Sequence, residues 1–129
     1  GKRAAVATDM GCFDDTIIRV LGQCDSVLIE ANHDINMLQV GPYPYSLKMR
    51  ILGNKGHLSN TSCADLIKEI LHKDLKHLVL GHLSRENNFP QLAYRTVLDE
   101  LEKTETWGTL DTRLMVASRD EPTELLKIN

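Results

Sequence analysis

One tetrapeptide, Gly-His-Leu-Ser, occurs twice in the sequence, at 56–59 and at 81–84. The second copy follows the apolar run Leu78–Leu80, which predicts a buried strand, and both copies precede a helical pattern. A histidine at the carboxyl end of a buried strand lies at the edge where open α/β sheets bind ligands. Either histidine alone is typical of a structural residue, but the matched contexts make a shared site that contains His57 and His82 an equal alternative.

Apolar runs predict four strands, and amphipathic stretches between them predict helices. This alternation predicts an α/β fold with one sheet, formed as a single domain by residues 1–129. Asn60 is the expected N-cap of the central helix, and the tail at 121–129 has no site character. The expected strands are 3–8, 25–30, 78–80 and 113–118, and the expected helices are 16–21, 34–40, 46–52, 61–71 and 89–102.

The charge, the apolar runs and the cysteine content limit the partners and the compartment that we expect. A formal net charge of -3 provides no global basic field for nucleic acid. The one local basic cluster, Lys48, Arg50 and Lys55, predicts either solvated surface or a contact with a phosphate backbone. No apolar run approaches the roughly 20 residues of a membrane span, so we expect no membrane partner. Three scattered cysteines suit a reducing cytoplasm.

Polar side chains follow the first two predicted strands. Asp9 comes directly after the first strand, and the second strand ends on Glu30, followed by Asn32, His33 and Asp34. Each group has a simpler interpretation as a turn or helix cap. Because these residues and both histidines lie at strand ends or helix starts, the pattern predicts one site on one edge of the sheet.

The chemistry of these side chains indicates a divalent metal. Asp, Glu and two His suit zinc, manganese or iron and leave a coordination position for water. Such ions turn water into a nucleophile near neutral pH. A glutamate bonded to a histidine fixes the histidine tautomer, which suits that histidine as a proton donor. The spacing does not distinguish a ligand histidine from a proton donor.

Four stretches, at 7–11, 28–34, 56–60 and 80–88, carry a specific family pattern in their order along the chain. Together they resemble the carboxyl-terminal half of a metallo-β-lactamase-fold hydrolase, of the YycJ (WalJ)-like branch. That branch is related to the nucleases ribonuclease Z and ribonuclease J and to the β-CASP enzymes. The resemblance implies half of an αββα sandwich, with about four strands and flanking helices.

The resemblance also implies roles for the individual residues. Asp9 is expected to bridge two divalent ions, zinc or manganese, and His82 to be the last histidine ligand. Glu30 and His57 are expected to form the acid and histidine pair beside a scissile phosphate. Asn32 and His33 are lesser candidates. The implied activity is phosphodiester hydrolysis, exonucleolytic on DNA, in the cytoplasm.

The sequence departs from the family in lacking the His-x-His-x-Asp-His motif, which supplies most of the metal ligands. We therefore expect the chain alone to be inactive, to hold no metal by itself, and to need the missing amino-terminal half or self-association. Two rival functions are open. One is hydrolysis of a small ester, thioester or lactone. The other is a non-catalytic half-domain that dimerises or binds a partner through an apolar sheet face.

Overall fold

The computed structural model describes residues 1–118, 121 and 126. Within them the chain forms four strands and five α-helices, which confirms the predicted α/β fold. The strands form one parallel sheet in the order β1-β2-β3-β4. In chain order the elements are β1 (Ala4–Ala7), α1 (Asp15–Leu21), β2 (Ser26–Glu30), α2 (Ile35–Val40), α3 (Tyr45–Leu52), α4 (Asn60–Ile70), β3 (His77–Gly81), α5 (Pro90–Glu102) and β4 (Arg113–Val116).

The hydrophobic core lies on one face of this sheet. Alternate residues of neighbouring strands are in register there, as in the row formed by Val27, Leu78 and Leu114. Helix α4 packs against α1 and α5, and the three helices cover this face. The central strands β2 and β3 are therefore apolar and largely buried, as expected for the interior of a parallel sheet.

The opposite face of the sheet is also apolar. Val6, Leu28, Val79 and Met115 occupy equivalent register positions on the four strands and form one row across it. Val6 is 72% exposed, whereas Leu28 and Met115 are half-buried. An apolar row with an exposed end matches the prediction of a sheet face that could receive a second layer.

Several boundaries differ from the sequence-based expectations. Ser59, not Asn60, is the N-cap of α4, because the Ser59 hydroxyl accepts a hydrogen bond from the Ser62 amide and Asn60 is already helical. The segment between α5 and β4 contains a 3-10 turn, Trp107–Thr109. Most of the tail at 121–129 lies outside the described residues. Among the described residues, no helix combines the length and apolar character needed to cross a bilayer.

Candidate metal centre

The strand order brings the predicted site residues to one edge of the sheet. Asp9 follows β1, Glu30 is the last residue of β2, and His82 follows β3. These three parallel strands are neighbours, so their carboxyl ends lie side by side. His57 reaches the same place from the connection between α3 and α4. The structure thus brings together all four residues predicted to be catalytic or metal-binding.

Glu30 is the centre of this group. Its side chain is fully buried, and a buried carboxylate needs hydrogen-bonding or charged partners. The Asp9 amide donates to Glu30 Oε1 over 3.0 Å. Nδ1 of His57 lies 2.8 Å from Glu30 Oε2, and Nδ1 of His82 contacts the same oxygen. One carboxylate therefore orients two imidazole rings.

The four side chains form a donor set that fits a divalent cation. Asp9 Oδ1 lies 3.8 Å from Nδ1 of His57 and 3.7 Å from Nδ1 of His82. One ligand atom from each of Asp9, Glu30, His57 and His82 lies within 4.8 Å of the other three. Two carboxylates and two imidazoles are the ligands that zinc and manganese accept. If Glu30 instead accepts from the Nδ1–H of each ring, each Nε2 keeps a lone pair for a ligand or a proton.

Two of these residues have a backbone conformation that L-residues rarely adopt. Asp9 has φ 58° and His82 has φ 56°, and they are the positive-φ residues other than glycine among those described. The left-handed region costs free energy for side chains with a Cβ. Strain of this kind is concentrated at functional sites, where the surrounding structure holds it in place.

Asn32 connects the two Gly-His-Leu-Ser segments to the end of β2. Its amide donates to Leu58 O over 2.9 Å, and its carbonyl accepts from the Ser84 amide over 2.7 Å. Its side-chain Nδ2 donates to the His82 carbonyl over 3.0 Å. Asn32 therefore holds the backbone of His82 and that of Leu58, the residue after His57.

His33, the other lesser candidate, is buried behind the site and lies outside the four-residue donor set. Its Nδ1–H donates to Asn32 Oδ1 over 3.2 Å, and its carbonyl accepts from the Asn60 amide. Burial, with a smaller contribution from the charge of His57, lowers the pKa of His33 to about 4, and the charge of Asp34 opposes this change. His33 is thus neutral at neutral pH and supports the connection of β2 to the start of α4.

The group of described side chains that could hold a metal ion contains no cysteine. Cys63 is buried in α4, and burial raises the pKa of its thiol, with a further rise from the charge of Glu30. A thiol must lose its proton to bind a metal or attack a substrate. Cys63 is therefore a core residue, as its place in the apolar stripe of α4 predicts.

A cleft of about 1210 Å³ opens beside the two histidines. His57, His82 and Asn32 all line it. From the basic cluster of the sequence, Arg50 and Lys55 reach the cleft, whereas Lys48 donates its Nζ to the Gln39 carbonyl. Two residues of the basic cluster therefore lie at the cleft, and the third, Lys48, links α3 to α2. The lining also includes one cation that the sequence did not single out, Arg85.

Two buried asparagines have a role that the sequence pattern did not predict. Asn60 and Asn88 are bonded to each other through their side chains, beside the starts of α4 and α5. The repeat contained a signal for this pair, since Asn60 follows the first Gly-His-Leu-Ser directly and Asn88 is the fourth residue after the second. The expected role of Asn60 as a helix cap concealed this signal.

Comparison with known proteins identifies relatives that match most of the chain. Exodeoxyribonuclease WalJ of Streptococcus pneumoniae (strain ATCC BAA-255 / R6) is 37% identical over 127 residues, which are 98% of this chain and 47% of WalJ. Exodeoxyribonuclease YycJ of Bacillus anthracis is 36% identical over 102 residues, 79% of this chain and 39% of YycJ. No protein-family model and no solved structure matches the chain.

The chain spans about half the length of the curated relatives that it matches. The aligned part includes nearly all of its own residues, at an identity of 37%. The predicted resemblance is therefore confirmed: the chain is related to WalJ over 98% of its length and to YycJ over 79%, and the match is consistent with the carboxyl-terminal half of a YycJ-like protein.

Proposed function

We propose that residues 1–129 form the carboxyl-terminal half of a metallo-β-lactamase-fold domain, and that the complete domain is a metal-dependent exonuclease acting on DNA. The observation that carries the proposal is the convergence of Asp9, Glu30, His57 and His82 at one sheet edge that opens into a cleft. The relatives named exodeoxyribonuclease support DNA as the substrate.

The proposed roles follow the resemblance. Asp9 and His82 would hold the divalent ions, zinc or manganese, in the complete domain. When bound, such ions polarise a phosphate oxygen and lower the pKa of water, which supplies the nucleophile. The remaining ligands belong to the part of the relatives that this chain does not match.

Glu30 and His57 are the proposed acid pair. Glu30 Oε2 holds Nδ1 of His57 at 2.8 Å, which leaves Nε2 to carry the transferred proton. As the P–O bond breaks, that proton passes to the leaving sugar oxygen. His82 contacts the same carboxylate oxygen through Nδ1, so an experiment has to separate the two histidines.

The cleft favours a polymeric substrate over a small ester or lactone. Its described lining includes the cations Arg50, Lys55 and Arg85, which suit a phosphate backbone. A neutral ester offers no charge complementary to Arg50 and Lys55.

The test supplies the chain with the half of a WalJ relative that it does not match. We expect no metal-dependent hydrolysis from the chain alone and nucleotide release from the reassembled protein. Chelator-sensitive cleavage by the chain alone would contradict the half-domain assignment. A reassembled protein that binds metal but cleaves no DNA would contradict the nuclease assignment and favour a binding role.

In the reassembled protein, three variants then assign the roles. His82→Ala should lower metal content, and added metal should restore part of the activity. His57→Ala and Glu30→Gln should keep the metal and lower kcat by roughly 10²–10⁴-fold. His72→Gln, outside the site, is the control. If His57→Ala loses the metal and His82→Ala keeps it, the two roles are reversed.

A further inference from the structure

The side-chain amide of Asn32 lies between two groups with different hydrogen-bonding ability. The His82 carbonyl can only accept, so the atom of Asn32 that lies 3.0 Å from it is the amide nitrogen Nδ2. The amide oxygen Oδ1 therefore faces the other neighbour, Nδ1 of His33, at 3.2 Å. Because an amide oxygen can only accept, Nδ1 of His33 carries the ring proton.

The ring of His33 is separated from the cleft that Asn32 lines. His33 is 1% exposed, whereas Asn32 is half-buried and belongs to the cleft lining. Among the described residues, Nε2 of His33 has no hydrogen-bond partner. A buried ring nitrogen without a partner costs free energy, so packing alone does not explain a histidine at this position. The polar contact that the ring does make is the one to Asn32.

The residue at the other end of this connection, His82, has a strained backbone. Its φ of 56° lies in the left-handed region. The bond from Asn32 Nδ2 fixes its carbonyl, and its ring contacts Glu30 Oε2 through Nδ1. Without the proton of His33, Asn32 Oδ1 would lose its inner partner, and the amide would be free to turn towards water in the cleft. The His82 carbonyl would then lose its donor.

We propose that His33 is a positioning residue for His82 and acts through Asn32. Its Nδ1–H group keeps the Asn32 amide in the orientation that donates to the His82 carbonyl. His57 is outside this path, since Asn32 contacts the next residue, Leu58, through its main-chain amide. The inference rests on the proposed function for the role of His82 as a metal ligand.

Three replacements of His33 separate the hydrogen bond from the filling of space. In asparagine, Nδ2 is bonded to Cγ, as Nδ1 is in histidine, so His33→Asn keeps a donor near the same place. In glutamine, the nitrogen lies one bond further out, near the place of Nε2, so His33→Gln keeps more volume but loses the donor to Asn32. His33→Leu also keeps volume and has no donor. An effect of packing alone would be largest for His33→Asn, whereas the proposed effect is smallest there.

NMR of the ¹⁵N-labelled chain at neutral pH provides a test without metal. The imidazole nitrogen shifts should show the proton of His33 on Nδ1. His33→Leu and His33→Gln should move the signal of the Leu83 amide, which shares its peptide group with the His82 carbonyl, and His33→Asn should move it less. All three variants remove the ring and its effect on nearby shifts, so the difference between them reports the hydrogen bond. His72→Gln, as the histidine control, should leave the Leu83 amide in place.

The affinity of the reassembled protein for Zn²⁺ provides the second test. His33→Leu and His33→Gln should each weaken the binding of one ion by roughly 10-fold, the lower end of the range for groups that support a metal ligand. His33→Asn should restore most of this affinity. The double variant His33→Leu/Asn32→Ala should be no worse than Asn32→Ala alone, since both changes break the same path. Val97→Ala is the control for stability, because it removes buried volume from α5 and takes part in none of these hydrogen bonds.

Three outcomes would overturn the role of His33: a ring proton on Nε2, the same Leu83 shift in all three His33 variants, or an equal loss of affinity in His33→Leu and Val97→Ala. Additive losses in the double variant would overturn the path through Asn32. Failure of the proposed function would be seen separately, as a reassembled protein that holds no metal or releases no nucleotide while the NMR results stand.

Discussion

The side-chain amides of Asn60 and Asn88 bind each other in both directions. Asn60 Nδ2 donates to Asn88 Oδ1 over 3.1 Å, and Asn88 Nδ2 donates to Asn60 Oδ1 over 2.9 Å. Asn88 Nδ2 also donates to the Ala31 carbonyl over 2.9 Å. The pair joins the start of α4, the approach to α5 and the end of β2. These are the segments beside His57, His82 and Glu30.

Asn88→Ala should lower the free energy of unfolding by about 1–3 kcal/mol, because it leaves the buried amide of Asn60 without its partner. The double variant Asn60→Ala/Asn88→Ala should cost less than the sum of the single variants. Urea denaturation measures all three. Asn36→Ala, at an exposed position of α2, should stay within about 0.5 kcal/mol of the unmodified chain. Strictly additive losses would show that the two amides do not support each other.

The fold and the residues that converge at the candidate site could both be predicted from the positions of the strands in the sequence. Apolar runs mark the strands of a parallel sheet, because both faces of such strands are buried. Once the strands are parallel neighbours, whatever follows them must lie at one edge, so Asp9, Glu30 and His82 had to converge. The repeated tetrapeptide added His57.

The arrangement within the site could not be predicted in this way. That both imidazoles share Glu30 Oε2 depends on side-chain directions that residue spacing does not encode. The positive φ of Asp9 and His82 is set by tertiary contacts, since neither residue is a glycine. Ser59 rather than Asn60 caps α4 because the Asn60 side-chain amide is bonded to Asn88.

Replacement of the glycine by alanine should have different costs in the two Gly-His-Leu-Ser segments. A Cβ on Gly56 would overlap the Ile51 carbonyl oxygen, which is backbone and cannot move aside. The three atoms nearest to a Cβ on Gly81 all belong to the Leu28 side chain, the closest at 3.0 Å. Gly56→Ala should therefore cost about 1–3 kcal/mol or more, and Gly81→Ala less. Gly108→Ala, with no atom within 4 Å, is the control in urea unfolding. Equal midpoints for Gly56→Ala and Gly108→Ala would contradict the clash at Gly56.

Acid should destabilise the chain through His33. Burial lowers its pKa to about 4, below its ordinary value of 6.5, so the unfolded chain binds a proton more readily than the folded chain. The contribution of neutral His33 to the free energy of unfolding is therefore fully present above pH 6.5. It is lost as the pH falls from 6.5 towards 4, by on the order of 3 kcal/mol at most.

His33→Gln removes this titration, so its unfolding free energy should change less between pH 6.5 and 4 than that of the unmodified chain. Urea unfolding across this range measures the difference, and His72→Gln serves as the histidine control. Parallel pH profiles for His33→Gln and the unmodified chain would exclude His33 as the source of the acid sensitivity.

The apolar row on the open sheet face predicts association. Each Å² of apolar surface removed from water contributes about 25 cal/mol, so the chain should self-associate unless the missing half covers this face. Val6→Lys, at the exposed end of the row, should shift the chain towards monomer in sedimentation velocity. Val40→Lys is the matched control, because Val40 is 86% exposed but lies on α2. A monodisperse monomer of the unmodified chain would count against the half-domain.

The positive φ of Asp9 and His82 should lower the free energy of unfolding, and replacement by glycine or alanine can measure this strain. Asp9→Gly and Asp9→Ala both remove the carboxylate, so they differ only in the backbone preference of the new residue. Because Asp9 has φ 58°, Asp9→Gly should be the more stable variant, by about 1 kcal/mol. His82→Gly and His82→Ala should differ with the same sign, since His82 has φ 56°.

Lys73 supplies the control for this comparison, since its φ is not positive. There Lys73→Gly should be less stable than Lys73→Ala, because glycine gains more conformational entropy in the unfolded chain. Thermal and urea unfolding of the three pairs of variants therefore test whether the difference in stability between glycine and alanine changes sign between Lys73 and the two site residues. If alanine is the more stable replacement at Asp9 and His82 as well, the site is held without backbone strain, and the hydrogen bond from Asn32 to the His82 carbonyl orients a relaxed loop.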